Sequence, residues 1–436
     1  MLLKKFILAK RRTTNHMSNQ EHRLVIVGSL GEFVELTKMA KQRGYYTIVC
    51  DGYPNGPAKK IADKAYTIDV RDVETFAQMC IDERADGIIG SFSDLLFEQI
   101  TRIADKANLR WYAKPEELPF YREKDQTKKL LSKLGVRVPR NCQLSSDFKD
   151  SDLDGYRFPL VIKPINGYGS KGIFVVRSRE EIRAHFNEVL SRSSGVQTNI
   201  MVEEYSHGRE YNMMSWIVDG TVYPISIADR EKNPQLGDKL PLLNRVAYPA
   251  KATSQIIDEA REVQQKFADA VHQKEGPLSM QFFYNEHGVE VCEMAGRLFG
   301  YEHELVTYCC GLSIEKLLLD YVYEPEKVRK TMMSHNPNFH KHCAGLYYVG
   351  EHGKVIADIG KMQELATDDH VLESWFFYKE GETVDNYSAK SYLVRYYIAA
   401  DTRDELDKAT EFFFRHSYVM ANDGSRADIP FILEKD

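Results

Sequence analysis

Leu160-Val161-Ile162-Lys163 is a short apolar strand that ends on a lysine, and Asn166-Gly167-Tyr168-Gly169-Ser170-Lys171-Gly172 follows almost at once. Three glycines and a serine let backbone N–H groups come close to an anion, and Lys163 and Lys171 bring charge to the same place. The loop is not a Walker motif. Gly-Lys-Gly stands where Gly-Lys-Ser/Thr would, and Ile173-Phe174-Val175-Val176 reads as a strand where a Walker loop opens a helix. A plain hairpin turn with solvated lysines competes with a phosphate loop. A lysine buried at a strand end is costly without an anion to meet it, so Lys163 favours phosphate.

Toward the C-terminus, Met201–Glu204, Asn212–Val218 and Thr221–Ala228 read as strands and hairpins, Glu231 to Pro241 as a polar loop, and Ser254 to Gln273 as a helix. In Val202-Glu203-Glu204-Tyr205 and Gly208-Arg209-Glu210, a strand-end backbone can read an adenine edge and Glu210 can accept hydrogen bonds from ribose hydroxyls. Charged strand ends are usually just solvated, so this stretch counts only beside others. Met280-Gln281-Phe282-Phe283-Tyr284 and Val289-Glu290-Val291-Cys292-Glu293 form a hairpin about Asn285-Glu286-His287-Gly288. With an odd connecting loop, Gln281 and Glu293 share one face of the ribbon; with an even one they point to opposite faces. On one face, with Arg297 just beyond, two oxygen-bearing side chains suit Mg2+ and its phosphates. A surface hairpin is the competing reading.

Toward the N-terminus, residues 23–117 alternate strand and helix. Leu24–Val27 ends at Gly28, a helix covers Glu32 to Arg43, Thr47–Asp51 is a strand, a helix covers Asp72 to Glu83, and Gly87–Gly90 is a third strand. That rhythm predicts a parallel sheet with right-handed crossovers. The turn Gly28-Ser29-Leu30-Gly31 is only a partial dinucleotide fingerprint, because a tight strand-to-helix turn wants glycine with or without a phosphate. From 118 the texture turns α+β, opening with a helix from Lys124 to Leu134. From about 335, short strands (Ala344–Val349, Trp375–Tyr378, Ser391–Ala399) and a helix from Thr402 to Phe414 make a third region. The expected divisions are a basic tail at 1–22 and domains at 23–117, 118–330 and 331–436.

The 436 residues are 43% hydrophobic and 28% charged, with a net charge of −6. That balance gives no reason to expect a nucleic-acid or membrane surface, and no apolar run reaches spanning length. Seven scattered cysteines without a CxxC pair read as reduced thiols of a cytoplasmic protein rather than a disulfide or zinc framework. Met1 to Gln20 hold five Lys/Arg and no acid. A disordered basic tail, or translation starting at Met17, is expected ahead of an organelle-type presequence. His303, between Glu302 and Glu304, lacks a metal partner at ligand spacing, and no GxSxG or Cys/His arrangement signals a covalent nucleophile.

Taken in order, these pieces resemble the ATP-grasp superfamily of ligases over nearly all of residues 23–436. Asp51-Gly52 with Ala58-Lys59-Lys60-Ile61-Ala62-Asp63 looks like part of a pre-ATP-grasp domain, and the region from 331 like the C-terminal domain of the biotin-carboxylase-like branch. The resemblance implies a parallel α/β domain, an ATP-grasp domain and a small mixed domain. It also implies ATP and Mg2+ (or Mn2+) as cofactors. Lys124 and Lys163 would meet the nucleotide phosphates, and Gly167, Gly169, Ser170, Lys171 and Gly172 would belong to the loop that closes over ATP. Glu203, Glu204 and Tyr205 would lie at the adenine and Glu210 at the ribose. Gln281 and Glu293 match the metal ligands, and Arg297 the arginine that steadies an acyl phosphate.

Many members read Glu-x-Asn-x-Arg where this chain has Glu293-Met294-Ala295-Gly296-Arg297, so one ligand atom is missing at Ala295. The segment Leu298 to Glu304 matches neither biotin carboxylase nor carboxyaminoimidazole ribonucleotide synthase. What remains looks most like a carboxylate–amine ligase that makes an amide through an acyl phosphate, its pocket drawn from Arg230, Arg245, Arg297 and Phe299 to His303. A bicarbonate-activating carboxylase or carbamoyl-phosphate-synthetase-like enzyme, a purine-biosynthesis ligase, and a nucleotide-binding protein without turnover are the alternatives. Expected partners are a small-molecule acid and amine, and dimers are common in the superfamily.

Overall fold

The apolar runs near the N-terminus are buried on both faces. In the computed structural model, which describes residues 22–433 apart from 167–171, 194–196, 234–241, 301, 340 and 386–391, they form β1 (Arg23–Val27), β2 (Tyr46–Asp51) and, beyond a mostly exposed edge strand β3 (Lys64–Thr67), β4 (Gly87–Ile89). These pair in parallel in the order β3-β2-β1-β4. Alternate residues of β1 go to different cores. Leu24 and Ile26 pack with Leu36 and Ala40 of the helix Val34–Gln42. Val25 and Val27 pack with Phe76 and Cys80 of the helix Val73–Asp82 and Ile100 and Ile103 of the helix Asp94–Ala107. A strand covered on both sides reads as continuously apolar, which is why period-two alternation is missing there.

A second sheet is antiparallel. Its strands β5 (Asn141–Ser145), β6 (Leu160–Lys163), β7 (Phe174–Val176) and β8 (Asn199–Glu204) run in the order β5-β8-β6-β7. The helix Arg179–Ser191 covers it with Ile182, Phe186 and Val189. Ser178 caps that helix by accepting from the Glu181 N–H at 3.2 Å.

The remaining strands are β9 (Arg209–Val218), β10 (Thr221–Lys232), β11 (Leu243–Tyr248), β12 (Gly276–Asn285), β13 (Gly288–Ala295), β14 (His342–Tyr348), β15 (Ile356–Asp358), β16 (Val371–Phe376), β17 (Val394–Ala400) and β18 (Met420–Ala421). All but β15 and β18, which pair with each other, join one sheet in the order β13-β12-β9-β10-β11-β14-β17-β16. This sheet runs across the expected border at 330/331. The strand β10 also outruns its expected end at Ala228 by four residues, into what the sequence suggested as loop. Two of those extra residues, Arg230 and Lys232, belong to the site below. The mixed architecture expected from the sequence, a parallel sheet followed by antiparallel ones, is the one the chain adopts. Among the described residues no helix is long and apolar enough to cross a membrane, and all seven cysteines are free thiols.

Candidate functional site

The hairpin β12–β13 settles the face question by a route the sequence did not offer. Asn285 pairs with Gly288, so the tip is even and regular pairing would set Gln281 against Cys292. A bulge between Gln281 and Phe282 instead leaves Cys292 as the extra residue and pairs Gln281 with Glu293. Gln281 and Glu293 therefore share a face. The Gln281 Nε2 donates to Glu210 Oε1 at 2.7 Å, so its Oε1 is left as the atom able to ligate. Lys124 Nζ lies 3.8 Å from Glu293 Oε1. No group of three His, Cys, Asp or Glu side chains able to hold a metal exists among the described residues. Two protein oxygens on one face with Lys124 beside them nonetheless suit Mg2+, which commonly binds through one or two protein ligands and completes its shell with water and phosphate.

Lys163, at the end of β6, is 5% exposed and donates to Glu203 Oε2 at 2.6 Å. Burial opposes its charge, yet the adjacent Glu203 carboxylate raises its pKa overall. Successive residues of β8 face opposite ways, so Glu203 turns to this cluster while the Glu204 carboxylate accepts from the Arg157 N–H at 3.1 Å. The Glu204 N–H donates to the Arg140 carbonyl at 2.9 Å and the Tyr205 N–H to the Pro159 carbonyl at 3.2 Å. Gly167, Gly169, Ser170 and Lys171 lie outside the described residues. Gly172 has φ +71°, and a Cβ there would sit 2.7 Å from Arg192 Cγ, so both backbone and space demand glycine.

Sequence reasoning missed Lys128. It is 2% exposed, one helical turn from Lys124 on the helix Lys124–Lys133, and its Nζ lies 3.0 Å from Glu203 Oε1. The available signal was position. Lys128 stands three residues before the buried Leu131 and four after Lys124, on the inward face of the helix.

Arg297 is clamped by the N-terminal domain. Its Nε and Nη2 donate to the two oxygens of Asp94, both at 2.9 Å, leaving Nη1 outside this pairing. Asp94 opens the helix Asp94–Ala107, some two hundred residues earlier in the chain. Ser279 donates to the Arg297 carbonyl at 2.6 Å, Tyr112 to the Gly296 carbonyl at 2.8 Å, and the Leu298 N–H to Ser91 at 3.2 Å. A Cβ on Gly296 would sit 2.5 Å from Phe97 Cζ, which explains glycine just before the arginine.

The sheet carries more polar groups beside this arginine. Glu210 accepts from Arg230 Nε at 2.7 Å and pairs with Lys232 at 2.5 Å, so the expected ribose acid is tied to two cations. Glu302 accepts from Asn212 at 2.8 Å and from Tyr248 Oη at 2.6 Å, and burial pushes its carboxyl pKa up despite Arg230 nearby. Arg230 pairs across the ladder with Glu210 and so shares its face. Arg245 does not. It pairs with Glu231, the neighbour of Arg230, and therefore points to the other side of the sheet. There, fully buried, it bridges Glu231 at 2.9 Å and Asp407 at 2.6 Å. Arg245 is thus removed from the expected pocket and serves to hold the C-terminal helix Arg403–His416 against the sheet.

His303 is a structural histidine. One ring nitrogen faces the Gly300 carbonyl at 2.8 Å, the other Glu315 Oε1 at 3.0 Å, and the ring stacks on Phe92 at 4.1 Å. Two acceptors require two N–H donors, so the ring is an imidazolium. Burial opposes that charge, but Glu304 and Glu315 outweigh it and raise the pKa from 6.5 to about 9. A raised folded pKa means the contribution is fully present below pH 6.5 and is lost as pH rises through 9. Its ceiling is about 3 kcal/mol, because each tenfold gain in proton affinity on folding is worth about 1.36 kcal/mol. Thermal unfolding followed from pH 6 to 10 should show the wild-type protein losing several degrees that His303→Gln has already lost at pH 6. Parallel curves would contradict the assignment.

Residues 156–303 match the family model described as the ATP-grasp domain. A formate-dependent phosphoribosylglycinamide formyltransferase of Prochlorococcus marinus subsp. pastoris is 28% identical over 184 residues, which is 41% of this chain and 45% of that protein. The chain therefore matches less than half the length of this curated relative. The crystal structure of an L-amino acid ligase from Bacillus licheniformis superposes with a TM-score of 0.75 at 16% identity, covering 92% of this chain and 98% of that one. The biotin carboxylase domain of the Hydrogenobacter thermophilus 2-oxoglutarate carboxylase, solved as a dimer with MgADP and bicarbonate, gives 0.69 at 15% identity over 92% and 91%. At such identities the structural likeness is one of fold.

Proposed function

Proceeding from a chain that carries an ATP-grasp domain within the fold of ATP-grasp ligases, we propose that it is an ATP- and Mg2+-dependent carboxylate–amine ligase. It joins a small acid to a small amine as an amide, by way of an acyl phosphate. The supporting observation is the cross-strand pair Gln281–Glu293 beside Lys124, with the tethered Arg297 at the end of the same strand segment. In this reading a carboxylate oxygen attacks the γ-phosphorus of ATP, the bond to the β–γ bridging oxygen breaks, and ADP leaves. Lys124 and Lys163 offset the charge that spreads over the transferred oxygens. Gln281 and Glu293 would hold Mg2+, which would supply further neutralisation of phosphate charge. Asp94 fixes the guanidinium of Arg297, whose Nη1 steadies the acyl phosphate. The amine then attacks the acyl carbon, phosphate departs, and the amine gives up a proton.

Carboxylates and guanidinium groups influence one another near the tethered Arg297. Glu302 lies within electrostatic reach of Arg230 and Arg297, and Glu32 within reach of Arg395. Such a lining suits substrates that carry both charges, such as amino acids. The names of the related proteins set the screen: formate, bicarbonate and L-amino acids as acids, and phosphoribosylglycinamide and L-amino acids as amines. Purified protein with MgATP should release phosphate only when an acid and an amine are both present. ATPase stimulated by bicarbonate alone would replace this reading with bicarbonate activation. MgADP binding with no turnover anywhere in the matrix would replace it with a non-catalytic nucleotide-binding role. A cytoplasmic homodimer working on small molecules completes the proposal.

A further inference from the structure

One buried carboxylate serves two buried lysines. Glu203 is 4% exposed, with Lys163 Nζ at 2.6 Å from one oxygen and Lys128 Nζ at 3.0 Å from the other. Two cations and one anion leave the cluster net positive where an unbalanced charge is expensive. The two pairings are unequal. Lys163 donates to Oε2 at 2.6 Å, whereas Lys128 Nζ sits farther from its oxygen, at 3.0 Å from Oε1. Lys163 stands at the strand end that leads into the Gly-rich loop; Lys128 stands behind, on the helix.

We propose that Lys128 is a positioning residue for the nucleotide. When Lys163 leaves Glu203 to meet a phosphate, Lys128 stays as the sole cation on Glu203 and keeps that carboxylate ionised and in place beside the adenine-reading strand end. Without Lys128, a departing Lys163 would strand a buried carboxylate, so Lys163 would be held back and nucleotide binding would weaken. This inference rests on the nucleotide-site reading given above.

The test is MgADP binding by calorimetry to the full chain as wild type, Lys128→Met, Lys128→Gln and Lys128→Arg, with thermal unfolding of each apo protein. Lys128→Met should weaken MgADP binding about tenfold or more, with Lys128→Arg restoring it to within about threefold. In turnover the loss should fall on KM for ATP more than on kcat. Lys128→Gln carries the same expectation if the methionine variant does not fold. A lower apo Tm with unchanged MgADP affinity would overturn the inference and leave Lys128 as packing. Wild type failing to bind MgADP would overturn the nucleotide-site reading together with this one, so the two failures are distinguishable.

Discussion

Lys163→Met should abolish substrate-dependent ADP release, with kcat/KM falling about a thousandfold or more. A positioned cation on a transferring phosphoryl group acts only as charge builds in the transition state, and losing one such donor costs roughly a hundred- to a thousandfold. Loss of ground-state phosphate binding adds to that in kcat/KM. The fold should survive the change, because Lys128 remains beside Glu203 and the buried carboxylate keeps a counter-ion. Glu293→Ala should give a loss of the same order through the metal position, without disturbing the sheet. Phosphate release at saturating acid and amine, together with the apo Tm, separates chemistry from unfolding. Full activity in either variant would remove the proposed function.

The alternation of strand and helix at the N-terminus was legible because β1, β2 and β4 are apolar runs with helices between them, whereas the edge strand β3, Lys-Ala-Tyr-Thr and mostly exposed, carries no such run and was not legible. The hairpin about Asn285–Gly288 was legible too, but its register was not. A bulge at Cys292 is a backbone event with no side-chain signature, and it reverses what the even turn alone would dictate. Arg230 and Arg245 show the same limit. Both are arginines of apolar strands, and which face each takes depends on how β10 and β11 align across a long connection that sequence does not fix. Lys128 hid for another reason. Lys128-Lys129 in a polar helix reads as solvated charge, and only the contact of Lys128 with Glu203 of β8 reveals that one of the two is buried. Asp94 could not be paired with Arg297 at all, since the contact spans two domains.

That contact carries the second large effect. Asp94→Ala should destabilise the protein by about 3–5 kcal/mol, because it leaves the Arg297 guanidinium buried without its partner. The pair is bidentate and mostly enclosed, at 13% and 14% side-chain exposure, so the exposed-pair discount does not apply in full. Burial would raise the Asp94 pKa, but Arg297, then Arg122 and Lys124, hold it down from 3.8 to about 2. A depressed folded pKa contributes stability that is present above 3.8 and lost as pH falls through 2. The acid limb of wild-type stability should therefore include about 2 kcal/mol that Asp94→Ala lacks at neutral pH already. Asp94→Ala should also lower turnover more than the stability loss explains, since Arg297 would no longer be held in one orientation. Arg297→Ala removes the charge that needs a partner. The double variant should therefore be more stable than Asp94→Ala alone, a sign that additive, unrelated packing defects would not produce. Urea unfolding of the two single variants and the double variant decides it. An Asp94→Ala protein within about 0.5 kcal/mol of wild type, the range of ordinary surface changes, would mean that the segment after Glu293 is held without this ion pair.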